Sequence, residues 1–163
     1  MSKPDQMPQS YVKSDDAVRF ATMIMTGQGV SNEDAAIIAE CLVEADLRGV
    51  QTHGLSRLPV YVERVQRGLV KAMPNMKLEK PVAACASLDG DNAFGFLVGR
   101  KAMQEAINMA DSCGVGVVAA RNSNHFGMAA TYLLQAVRAG YFAFVFTNAS
   151  KAMPPWGGRE GLL

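Results

Sequence analysis

The sequence predicts an α/β fold, an N-terminal helical segment followed by a β-α-β-α-β unit. Three observations carry that expectation. Before residue 70, apolar residues recur at helical spacing in three successive stretches. From Val82 onward, short apolar runs alternate with longer helical stretches, each ended by a glycine. The composition agrees: 163 residues, 49% hydrophobic and 19% charged, with 15 glycines, suit one compact domain.

Each element has its own signal. The first helix is predicted from Ser14 to Met25, with Val18, Phe20, Ala21 and Ile24 apolar and Gly27 as its stop. The second opens at Ser31, where Asp34 three residues on makes a weak capping box. Its apolar set, Ala35, Ile38, Leu42 and Ala45, stays in phase to about Arg48. The third follows Gly54 and starts near Ser56 or Leu58, because Pro59 is tolerated only in an opening turn; it ends at Gly68. Met76–Leu78 and Val82–Leu88 read as strands, and Asp89-Gly90-Asp91-Asn92 as a turn. Phe96–Cys113 is a helix ended by Gly114, and Val115–Arg121 is a strand. Gly127–Ala139 is a helix ended by Gly140, and Tyr141–Thr147 a further apolar strand. Residues 1–13 are expected to form a disordered tail, 14–72 the helical segment and 73–163 an incomplete sheet domain.

Composition removes several function classes. A net charge of +1 with no Lys/Arg run lacks the footprint of nucleic-acid binding. No apolar stretch is long enough to span a membrane. Cys41, Cys85 and Cys113 are odd in number and far apart in apolar segments, which fits neither a disulfide framework nor a zinc site, so no metal is expected. The first thirteen residues hold no apolar signal core, and a reducing cytoplasm is the expected location.

The two histidines are the candidates for chemistry. His125 stands in Arg121-Asn122-Ser123-Asn124-His125-Phe126-Gly127, between a strand and a helix, where α/β sheets bind ligands. The next helix would aim its first amides there and favour an anion, and an imidazole exchanges a proton near neutral pH. The alternative reading is that Asn122, Asn124 and His125 cap that helix. His53, Arg57 and Tyr61 are spaced four apart, so near a helix start they share one side. A guanidinium fork, a phenol and an imidazole would suit a small carboxylate. A solvated helix edge is the alternative there.

Other matches fail. Gly114-Val115-Gly116-Val117-Val118-Ala119 fits a dinucleotide string, but it follows a helix and opens a strand, the reverse of the required order. Asp15-Asp16 reads as a helix start and Asp89 with Asp91 as a turn, rather than as paired catalytic carboxylates. No nucleophile elbow surrounds Ser56 or Ser123.

Thr52-His53-Gly54 with Arg57 and Tyr61, Ser123-Asn124-His125-Phe126-Gly127, and Thr147-Asn148 followed by Pro155-Trp156-Gly157-Gly158 together resemble the type 2 malate/L-lactate dehydrogenase family. The resemblance implies a non-Rossmann nicotinamide-binding sheet. It also implies hydride transfer between NAD or NADP and C2 of a small 2-keto, 2-hydroxy or 2-imino acid such as malate or lactate. A homodimer with its site near the subunit interface is implied too. Carried over by position, His125 is the acid/base group, with His53 given that role in some members. Arg57 would hold the substrate carboxylate, with Tyr61 and Thr147 beside the substrate and Asn148, Ala149 and Ser150 lining the nicotinamide. Such enzymes run to about twice this length, so the chain matches their N-terminal half and residues 73–163 the first part of their nicotinamide-binding domain. A second reading is a truncated, non-catalytic fragment or interaction partner without a complete cofactor site.

Overall fold

A computed structural model describes residues 11–148 and 157–161. Three helices come first: α1 (Ser14–Thr26), α2 (Asn32–Leu47) and α3 (Leu58–Gln66). Two single 3-10 turns, Gln51–His53 and Leu55–Arg57, join α2 to α3. Then follow β1 (Lys77–Val82), β2 (Cys85–Ala93), α4 (Gly95–Cys113), β3 (Val117–Ser123) and α5 (Ala130–Arg138). The expected starts and stops hold for the early helices. The Ser31 hydroxyl accepts the Asp34 N–H at 3.1 Å and caps α2, and Pro59 lies in the first turn of α3. Gly114 closes α4 in the left-handed conformation, φ 77°.

The sheet has order β1-β2-β3, with β1 antiparallel to β2, and β2 parallel to β3 through α4. The fold is therefore mixed α/β with five helices and three strands among the described residues. Two expectations are corrected. A tight turn at Ala83-Ala84, between the paired Val82 and Cys85, breaks the expected strand Val82–Leu88, and the turn expected at Asp89–Asn92 does not form. Those four residues lie inside β2. Asp91 and Asn92 do take left-handed backbone, φ 48° and 61°, but they use it to make a bulge. The β2–β3 register accordingly jumps from Asp89↔Arg121 to Ala93↔Ser123.

The second correction concerns Tyr141–Thr147, the last strand of the expected β-α-β-α-β unit. It joins no ladder among the described residues. The period-2 pattern is real: Tyr141, Ala143 and Val145 pack on Met103, Ile107, Tyr132 and Ala136. Phe142, Phe144 and Phe146 face outward, 83%, 71% and 87% exposed. Alternation sets which side chains are buried, but a strand also needs a backbone partner. Helix α5 also starts later than expected: Gly127 takes a left-handed φ of 73°, and a Cβ there would stand 2.4 Å from the Phe96 ring.

The main core joins the helical segment to the sheet unit. Ala21, Met25, Ile38, Leu42, Leu58 and Tyr61 pack with Phe94, Phe96 and Leu97 at the start of α4. Burying each such large side chain contributes about 1.5–3 kcal/mol. Residues 51–66 are thereby held against the loop that leaves β3. Among the described residues no helix is long and apolar enough to cross a membrane.

Candidate functional site

Three pieces of chain converge. The 3-10 turns carry His53 and Arg57, α3 carries Tyr61 and Arg64, and the β3–α5 loop carries Asn124 and His125. The turns are anchored from α2: Asp46 Oδ2 accepts the Leu55 N–H at 2.8 Å. Gly54 is required beside it, since a Cβ there would stand 1.8 Å from Asp46 Oδ1.

The His53 and His125 rings stack with centroids 5.4 Å apart and planes 25° apart. Tyr61 is 3% exposed, its ring edge-on to Phe94 and Phe96. Its hydroxyl lies 2.8 Å from His125 Nδ1. Arg57 Nε donates to the Thr52 carbonyl at 2.9 Å, and its terminal nitrogens have no hydrogen-bond partner among the described residues. The Thr52 hydroxyl lies 2.9 Å from His53 Nδ1. The second 3-10 turn and α3 thus bring Arg57, Tyr61 and Arg64 toward the His125 imidazole.

The His125 loop is fixed by its neighbour. Arg64 Nη2 donates to Asn124 Oδ1 at 2.9 Å, and Asn124 Nδ2 donates to Asn92 Oδ1 at 2.9 Å and to the Ala93 carbonyl at 3.0 Å. The Asn124 side chain is therefore committed to the β2 bulge, and α5 begins without a side-chain cap. Asn122 likewise turns to Asp89, donating to both carboxylate oxygens at 3.1 Å. Capping does not explain these residues.

The electrostatics are those of a site facing two guanidinium groups. Partial burial, then the charges of His53, Arg57 and Arg64, hold the His125 imidazole below its ordinary range, so the ring favours its neutral form. Burial pushes the Tyr61 phenol up to about 12, against the opposing pull of Arg57 and Arg64. A small organic anion placed here would meet positive charge, two imidazoles and a protonated phenol.

Of the residues singled out in the sequence, His53, Arg57, Tyr61 and His125 come together. Thr147 and Asn148 are exposed and make no hydrogen bond to that group, while Ala149 and Ser150 lie outside the described residues. Asp46 and Arg64 were not anticipated. Arg64 had a signal, standing seven residues after Arg57 on the same helix face. Asp46 had none short of the tertiary fold.

Residues 12–163 match the family described as malate/L-lactate dehydrogenase. The chain is 39% identical to a malate dehydrogenase of Pyrococcus abyssi over 165 residues, covering 100% of this chain and 46% of that protein. It is 44% identical to an L-sulfolactate dehydrogenase of Methanocaldococcus jannaschii over 135 residues, 83% of this chain and 39% of that one. The solved structure of malate dehydrogenase from Pyrococcus horikoshii OT3 superimposes with a TM-score of 0.76 at 39% identity, covering 83% of this chain and 41% of that one. The chain spans less than half the length of the relatives it matches.

Proposed function

The chain belongs to the malate/L-lactate dehydrogenase family, and from that premise we propose that it forms the acid-binding part of an oxidoreductase. The reaction moves a hydride between NAD(P)H and C2 of a small 2-keto or 2-hydroxy acid. The observation that carries this reading is the stacking of His53 on His125 at 5.4 Å, with the Arg57 guanidinium, whose terminal nitrogens have no partner among the described residues. Arg57 holds the substrate carboxylate through its terminal nitrogens, a geometry suited to a bidentate pair. His125 manages the proton at the C2 oxygen, given in reduction and recovered in oxidation. His53 stacks on one face of that ring. By the family resemblance, Thr147 would stand beside the substrate, and Asn148, Ala149 and Ser150 would line the nicotinamide. Two copies assemble as a homodimer, as the family resemblance implies.

The described residues fit the acid better than the dinucleotide. The Gly114–Gly116 string offers no phosphate cradle, because a Cβ on Gly116 would already stand 1.9 Å from the Ala106 carbonyl oxygen. The nicotinamide would supply the hydride. The part derived from this chain's residues is binding the carboxylate and moving one proton.

The test is a panel of 2-keto acids with NADH and NADPH, assayed on the protein that carries this sequence. Consumption of reduced nicotinamide with at least one acid is expected, and its loss on His125→Ala. Absence of both turnover and keto-acid binding across the panel would overturn the reading.

A further inference from the structure

Two groups converge on a single nitrogen of His125. The Tyr61 hydroxyl lies 2.8 Å from Nδ1, and the backbone N–H of Gly127 points at the same atom from 3.4 Å. An amide N–H can only donate, so Nδ1 must present a lone pair to it. A phenol can donate or accept. Here burial among Phe94 and Phe96 disfavours the phenolate, which leaves a proton on Tyr61 to give to that lone pair. With Nδ1 accepting, a neutral ring must carry its own proton on Nε2. His53 covers one face of the ring and Arg64 holds the loop through Asn124, so the ring is locked in plane as well as in tautomer.

We propose that Tyr61 is a positioning residue whose hydroxyl, with the Gly127 amide, holds His125 as the Nε2–H tautomer and makes Nε2 the atom that meets the C2 oxygen of the acid. This rests on the function proposed above and adds a role to it. A neutral ring presenting Nε2–H polarises the 2-keto oxygen as a hydrogen-bond donor. The proton balance then uses both nitrogens. As hydride from the reduced nicotinamide reaches C2, the Nε2–H bond breaks and an O–H bond forms on the C2 oxygen. At Nδ1 an N–H bond forms with the proton of the Tyr61 hydroxyl, so the ring never becomes anionic. The phenolate left behind is transient: burial disfavours it, the charges of Arg57 and Arg64 offset part of that cost, and it regains its proton from water. In oxidation each step reverses.

The tautomer is read directly by nitrogen NMR of the 15N-labelled chain above the imidazole titration range, with His53→Gln assigning the two rings by subtraction. A pyridine-type Nδ1 and a pyrrole-type Nε2 are expected for His125. Tyr61→Phe keeps the ring packing and removes the hydroxyl. It should move both nitrogens toward the averaged shifts of mixed tautomers with the amide spectrum otherwise kept. In turnover it should lower kcat by about 10- to 100-fold with KM little changed. A pyrrole-type Nδ1 in the unaltered chain, or an unchanged His125 spectrum in Tyr61→Phe, overturns the proposal. If the tautomer is found but no keto acid is reduced, the proposed reaction falls and the assignment of Nε2–H stands. If keto acids are reduced while Tyr61→Phe keeps kcat and spectrum, this inference alone falls.

Discussion

The Asp46 carboxylate occupies the space that a side chain at Gly54 would need. An ideal Cβ would lie 1.8 Å from Oδ1, while Oδ2 takes the Leu55 N–H at 2.8 Å. The end of α2 thereby sets the two 3-10 turns that carry His53 and Arg57. Gly54→Ala must expel the carboxylate and leave that N–H without its acceptor. We expect a loss of about 1–3 kcal/mol, read as a lowered Tm, together with a loss of turnover. Asp46→Asn, which keeps an acceptor oxygen, should cost less than Gly54→Ala. Equal melting of Gly54→Ala and the unaltered protein would show that the contact does not hold the turns.

Among the described residues, Arg57 has one nitrogen committed and two to offer. Nε is tied to the Thr52 carbonyl at 2.9 Å, which fixes the direction of the fork. Charge-assisted hydrogen bonds contribute about 1.5–3 kcal/mol. Arg57→Ala should therefore raise KM for the acid by about 10- to 150-fold and leave kcat comparatively unaffected. Arg57→Lys should recover part of the charge but not the two-point grip. A fall in kcat at unchanged KM would move Arg57 out of the carboxylate-binding role.

Much of the scaffold was legible because its signals are local. Ser31 as a cap, Pro59 in an opening turn and Gly114 as a left-handed stop are each decided within a few residues. The Asp89–Asn92 stretch shows where local reading stops: its left-handed backbone was foreseeable, but its use as a bulge depends on pairing with Arg121 and Ser123. Tyr141–Thr147 has strand periodicity without a partner, and partnership is not written in the segment itself. At the site, the sharing of one helix side by Arg57 and Tyr61 followed from spacing. Their meeting with His125 did not, because it depends on Phe94 and Phe96 packing the start of α4 under α3.

Two glycines near the end of α4 separate steric from conformational cost. Gly116 would place a Cβ 1.9 Å from the Ala106 carbonyl oxygen, so α4 and β3 approach each other through a missing side chain. Gly114 has open space but φ 77°. Gly116→Ala must push the helix off the strand, and a cost of about 1–3 kcal/mol is expected. Gly114→Ala meets only backbone strain, about 1–2 kcal/mol at most. Chemical denaturation should rank Gly116→Ala as the less stable. The reverse ranking would mean that α4 can slide over β3 freely.

The charge environment of His125 gives a signed prediction about pH. Partial burial first, then His53, Arg57 and Arg64, hold its pKa below the ordinary imidazole value. In the window between that depressed value and the unfolded one, about 6.5, the unfolded chain binds more protons than the folded one. Stability therefore rises with pH across the window and is lost as pH falls through it. His125→Gln should flatten this limb of a Tm-versus-pH curve. The acid limb of kcat/KM should likewise lie below the ordinary histidine range, since protonation of the free ring removes its neutral form. His53→Gln takes away one of the influences that lower the His125 pKa and uncovers one face of its ring, and both changes favour the imidazolium. The His125 Cε1–H resonance should then titrate at higher pH in His53→Gln than in the unaltered protein. An unchanged or lower midpoint would mean that the stacked pair observed at 5.4 Å does not couple the two rings.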